Sequence, residues 1–239
     1  FIVVLNKIDL VNKTDRDKVQ EGAATVLGLD QSQILDTVAT DGTNVGRVIL
    51  AIAKTEPRLL AAIGAALPEY RARLAWQRIG PAATSAGVVG LIPLPIMDLI
   101  PLLGIQWGLV LSIARIYGFE ITPGRAKELV ATFGAGIAAR TVFQQLSKLG
   151  GLPGWVLSAA VAASTTLAIG YAAMGWFGHG ERPTREAMQR IVTGTARHLT
   201  GRLADRGARK PGPDALRQDL VEALADLPDD LRPDQQPRE

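Results

Sequence analysis

The chain has 239 residues, 47% of them hydrophobic and 5% aromatic, with 25 Gly, 14 Pro and no Cys. That length holds one large domain or two small ones, and the lack of Cys excludes a disulfide scaffold, a thiolate nucleophile and a thiolate zinc site. His179 and His198 are the only imidazoles, so a multi-histidine metal centre is excluded as well. Lys+Arg 26 against Asp+Glu 23 leaves +3, a weak pull toward anionic surfaces and no argument for nucleic acid. Mean hydropathy is +0.16 beside 21% charged residues, so the apolar residues must be concentrated in particular zones.

Residues 1–54 have α/β character. Phe1 to Leu5 and Ile34 to Ala39 are β-prone runs, apolar on both faces as buried parallel strands are. Between them Lys13 to Leu27 carries Val19, Ala23, Val26 and Leu27 at helical spacing, and Asn44 to Ala53 repeats that pattern with Val45, Val48, Ile49 and Ile52. The order strand, helix, strand, helix is a piece of a doubly wound sheet. Phe1 already lies inside an apolar run with no Met or basic segment ahead of it, which reads as a truncated frame without a signal peptide.

Residues 55–78 read as a helical connector broken near Pro68 and bearing Arg58, Arg71, Arg73 and Arg78. An apolar helical zone follows over 79–204. From Ile79 to Ala114 the only charge is Asp98, and from Leu149 to Gly180 there is none. Pro93, Pro95 and Pro101 predict a turn between helices near 82–92 and 96–117. Thr122-Pro123 starts an amphipathic helix of about seven turns that ends at Gly150-Gly151. A further amphipathic helix is predicted over 181–204. Residues 205–239 read as a linker, a short helix on Leu216, Leu220, Leu224 and Leu227, and a disordered Pro- and Asp-rich tail.

Asn6-Lys7-Ile8-Asp9 follows the first strand directly, at the end of a parallel sheet where ligands are met. Guanine offers two adjacent N–H donors, and one carboxylate accepts both, so Asp9 is the candidate acceptor. The alkyl stem of Lys7 can cover a base face, and the Asn6 amide can bond the base edge or brace the neighbouring loops. The second strand ends in Val38-Ala39-Thr40-Asp41-Gly42-Thr43-Asn44-Val45, with Asn44 a candidate N-cap. Together the two motifs resemble the fourth and fifth nucleotide-binding motifs of Era-like GTPases. The resemblance implies that 1–54 are the last two strand–helix units of a P-loop G domain, that the ligand is GTP or GDP, and that the Ala39 N–H bonds the guanine carbonyl. Val38 stands where that family usually has Ser. No G-x-x-x-x-G-K-[ST] occurs, and the chain has no Gly-Lys dipeptide. The phosphate half of the site, with Mg²⁺, is therefore expected in a longer parent GTPase, and this chain alone is expected not to turn over GTP.

The phrase Pro93 to Pro101, Ile105-Gln106, Ala114-Arg115-Ile116-Tyr117-Gly118, and Ala126-Lys127-Glu128-Leu129 leading to Gly134-Ala135-Gly136 resemble the YcjF-type domain of unknown function over about residues 80–178. That resemblance implies a bacterial, membrane-associated helical domain following an Era-like G domain, on the cytoplasmic side of the inner membrane, with lipid as a partner. The residues allow two readings. Trp155 to Trp176, as helix, spans about 31 Å against about 30 Å of bilayer hydrocarbon, with Trp at both ends. Alternatively, a segment so rich in Ala, Ser, Thr and Gly packs tightly in a soluble bundle. The alternative function is a non-enzymatic helical membrane-scaffold or protein-interaction module with a structural G-like remnant. Asp98 is read chiefly as a helix cap, Gly134 to Ala139 as close helix packing, both His as solvated, and the series Arg182, Arg185, Arg190, Arg197 and Arg202 as a solvated face open to lipid head groups. Oligomeric state leaves no signature in the sequence.

Overall fold

A computed structural model of the chain describes residues 2–91, 99–135, 152–204 and 210–228. Asp98, most of the proline-rich turn, Gly136 to Ala139, the end of the predicted seven-turn helix and the tail from 229 onward lie outside the described residues. Two compact units are present, Phe1–Tyr70 and Arg71–Glu239.

In the first unit β1 (Val3–Asn6) and β2 (Ile34–Thr37) pair in parallel, with Val3 opposite Ile34 and Asn6 opposite Thr37. The crossover between them is α1 (Arg16–Leu27), preceded by a 3₁₀ turn at Lys13–Asp15 and closed by Gly28 in the left-handed region, φ 65°. The right type of crossover forms, but its predicted apolar face is not buried: Val26 is 85% and Leu27 51% exposed, while Ala24 is buried. A sheet two strands wide is too narrow a platform to cover that stripe. For the same reason β1 is not buried on both faces, and Val4 is 41% exposed. The segment α2 (Val45–Thr55) follows β2, and a 3₁₀ turn at Pro57–Leu59, α3 (Leu60–Ala66) and a second 3₁₀ turn at Pro68–Tyr70 complete this unit.

The second unit is helical: α4 (Arg71–Val89), α5 (Leu99–Ile116), α6 (Pro123–Ala135), α7 (Gly154–His179), α8 (Arg185–Ala204) and α9 (Pro213–Ala225). The sequence predicts a helix starting near 82, after the arginine-bearing segment; α4 instead runs through Pro81 without ending. Proline there removes a backbone donor, yet Leu74, Ala75 and Ile79 before it and Ala83, Ala86 and Gly87 after it are all buried. Packing on both sides of the break outweighs a local penalty of about 3 kcal/mol.

The hub is α7, against which α4, α5, α6 and α8 pack, while α9 lies on α4 and α8. Fifteen of its 26 residues are buried, spread around the whole helix rather than along one stripe. Small residues make that possible. At Gly170 an added Cβ would stand 2.6 Å from an Ile79 side-chain carbon, and at Gly90 one would stand 2.8 Å from the Ser158 carbonyl oxygen. Among the described residues, Gly154–His179 is the one helix long and apolar enough to cross a membrane. Here that apolar surface is largely covered by neighbouring helices. Gln106, itself buried, donates to the Thr166 hydroxyl at 3.3 Å and gives the α5–α7 contact a polar register pin.

His198 departs from the expectation of a solvated imidazole. It is half-buried, and its Nε2 lies 2.9 Å from the Ala223 carbonyl, which requires an Nε2–H donor and ties α8 to α9. His179 is exposed, as are all five arginines from Arg182 to Arg202.

Candidate functional site: the strand ends of the first unit

The strand–turn boundary after β1 is backbone-strained. Lys7 sits in the left-handed region, φ 62° and ψ 37°, and opens a one-turn 3₁₀ helix at Ile8–Leu10. A non-glycine residue there costs about 1 kcal/mol or more, and such positions concentrate at ligand sites. What holds the turn is Asn6. Its Oδ1 accepts the Lys7 N–H at 2.8 Å, the Ala39 N–H at 3.1 Å and, more weakly, the Thr37 hydroxyl at 3.5 Å. One side chain thus clamps the ends of both strands.

The loop after β2 is closed by its own contacts. The Val38 N–H donates to the Thr43 carbonyl at 3.0 Å, and the Thr43 N–H donates to Asp41 Oδ1 at 2.8 Å. The Thr43 backbone N–H, and next its side chain, hold the Asp41 carboxyl below the usual aspartate range. Asn44 occupies the N-cap position of α2, but in the left-handed region at φ 59° and without a side-chain capping bond. Its Nδ2 donates instead to Asp36 Oδ2 at 3.2 Å, and Arg47 Nη1 lies 3.5 Å from Asp36 Oδ1.

Asn6 and Ala39, two of the four residues named from sequence, are therefore in direct contact. Lys7 is beside them, its ammonium exposed. Asp9 lies in the 3₁₀ turn with an exposed carboxylate that accepts no hydrogen bond among the described residues. The Ala39 N–H, expected to face a guanine carbonyl, is donated to Asn6. Asp36 and Arg47 were not singled out from sequence. A single acidic residue in an otherwise uncharged strand, Ile34-Leu35-Asp36-Thr37, was the available signal. No group of metal-ligating side chains occurs among the described residues.

No curated protein and no solved structure is similar enough to this chain to match it. One family does match: it covers residues 58–201, leaves the strand-end motifs outside, and extends on both sides of the expected helical domain at 80–178. Covering more than half of the sequence, that match makes the chain a member of the family of the domain of unknown function DUF697.

Proposed function

We propose that the first unit is a guanine-recognition end belonging to a nucleotide-dependent switch, and that the DUF697 helical unit is the part whose behaviour the nucleotide governs. The observation that carries this reading is the Asn6 clamp. It joins the two strand ends, next to an Asp9 carboxylate that accepts no hydrogen bond among the described residues and a lysine held in a strained conformation. In this reading Asp9 accepts guanine N1–H and N2–H, the Lys7 stem covers a base face, and the Ala39 N–H exchanges Asn6 for the guanine carbonyl. That exchange is energetically cheap, since a neutral hydrogen bond nets about 1 kcal/mol and Asn6 keeps two other donors. Phosphate and Mg²⁺ contacts belong to the rest of a GTPase, since no phosphate-binding loop is present in these 239 residues.

The test uses millimolar GMP and AMP on ¹⁵N-labelled protein. GMP should shift the Lys7 to Leu10 and Ala39 amides saturably and AMP should not. Asp9→Asn should transfer the preference to XMP, which has an acceptor where guanine has its amino donor. Equal shifts with AMP, or an unchanged preference in the variant, overturn the proposal.

A second reading concerns the helical unit: it meets the cytoplasmic face of a bacterial inner membrane peripherally, keeping α7 as its core. Supporting this is the start of α5, where Ile100 is 67% exposed beside exposed Pro101 and Gly104, in a helix with no charge before Arg115. Carbonate washing should release the protein from membranes and salt alone should not. Resistance to carbonate overturns the peripheral arrangement, and a wholly soluble protein overturns membrane contact.

A further inference from the structure

Away from the strand ends, the second unit contains a cavity of about 210 Å³ between α6, the end of α7 and the start of α8. Its floor is apolar: Leu129, Phe133 and Met188, all buried, with Trp176 alongside. Its mouth carries Arg125, Glu128 and Arg182. We propose that this cavity binds a small organic carboxylate whose body is one ring or a short branched chain.

Charge complementarity identifies the occupant. Two guanidiniums and one carboxylate at the mouth leave one positive charge, which matches a monoanion. Arg125 is committed to Glu128 at 2.7 Å. The Arg182 guanidinium lies over the Trp176 ring, 5.3 Å from its centroid, and has no carboxylate partner among the described residues. Attraction to the ring face holds the guanidinium at this edge of the cavity, where its N–H groups can make a two-point bond to a planar carboxylate. The Thr132 hydroxyl donates to the Glu128 carbonyl at 2.8 Å, so it adds no competing donor. Glu128 repels a second negative charge, which disfavours a phosphate dianion. Size points the same way, because sites for drug-sized ligands run to roughly 300–1,000 Å³ and this one is smaller.

The experiment titrates the full chain with phenylacetate, 4-methylpentanoate, phenylacetamide and inorganic phosphate, following the Trp176 indole N–H by NMR, with Trp176→Phe used to assign it. Phenylacetate or 4-methylpentanoate should shift that signal saturably, while the amide and phosphate should bind at least about ten-fold more weakly, the factor lost with a charge-assisted bond. Arg182→Gln should weaken the carboxylate by a similar factor; Arg182 is exposed, so the fold tolerates the change. Thr132→Trp, which narrows the mouth without altering its charge, should block binding. The proposal is overturned if neither carboxylate gives a saturable shift below about 10 mM, if the amide binds equally, or if Arg182→Gln leaves affinity unchanged.

Discussion

The side-chain oxygen of Asn6 accepts the backbone N–H of Ala39 at 3.1 Å, joining two loops that are 33 residues apart in sequence. The same oxygen accepts the N–H of the strained Lys7, so the clamp and the strain belong to one arrangement. Asn6→Ala should speed hydrogen exchange at Ala39 and Lys7 and cost about 1 kcal/mol of first-unit stability. Asn6→Asp, which keeps the acceptor, should recover most of the protection at neutral pH. Unchanged exchange at Ala39 in the alanine variant would show that the clamp contributes nothing.

The loop after β2 should be acid-sensitive. Asp41 is held below its ordinary value by the Thr43 N–H, so its contribution is present above the unfolded aspartate pKa of about 3.9 and is lost as pH falls through the folded value. An NMR titration should find Asp41 titrating below a typical aspartate, with the Thr43 amide moving in step. Asp41→Asn should abolish that step.

Two glycines of the helical unit should respond in opposite directions. A Cβ at Gly170 would collide with Ile79 and stand 3.2 Å from Leu109, so Gly170→Ala should destabilise by about 1–3 kcal/mol. Gly104 has nothing within 4 Å of such a Cβ, and Gly104→Ala should stabilise by about 0.5–1 kcal/mol through helix propensity. Thermal unfolding of the two variants separates packing from propensity.

Helix α9 is held at its C-terminal end by contacts of unequal strength. Removing the half-buried His198 bond to Ala223 should cost about 1–2 kcal/mol and raise exchange at Leu220 and Leu224. Arg202 pairs with Asp226 on the surface, with side chains 49% and 59% exposed, so Arg202→Ala should cost less than about 1 kcal/mol. The reverse order would mean that the surface pair anchors α9.

The alternation of strand and helix over the first 54 residues was legible because hydrophobic periodicity is a local property, and so were the helices at 185–204 and 213–225. That Asn6, Lys7, Asp9 and Ala39 stand at or near the strand ends was legible for the same reason, while their binding role is part of the proposal. Sequence could not say that Asn6 would bond Ala39, because that contact depends on strand register. Nor could it show Asp36 as the partner of Asn44 and Arg47, since a lone acid in a strand acquires its role only from what the fold sets opposite it. The sequence placed a helix start near 82, and only packing on both sides of Pro81 carries α4 through it. The charge-free run from Leu149 to Gly180 pointed to an apolar helix and left its surroundings open. Tertiary structure surrounds α7 with four helices, because its small residues let backbones approach closely on every side, and apolarity alone does not distinguish burial in protein from burial in lipid.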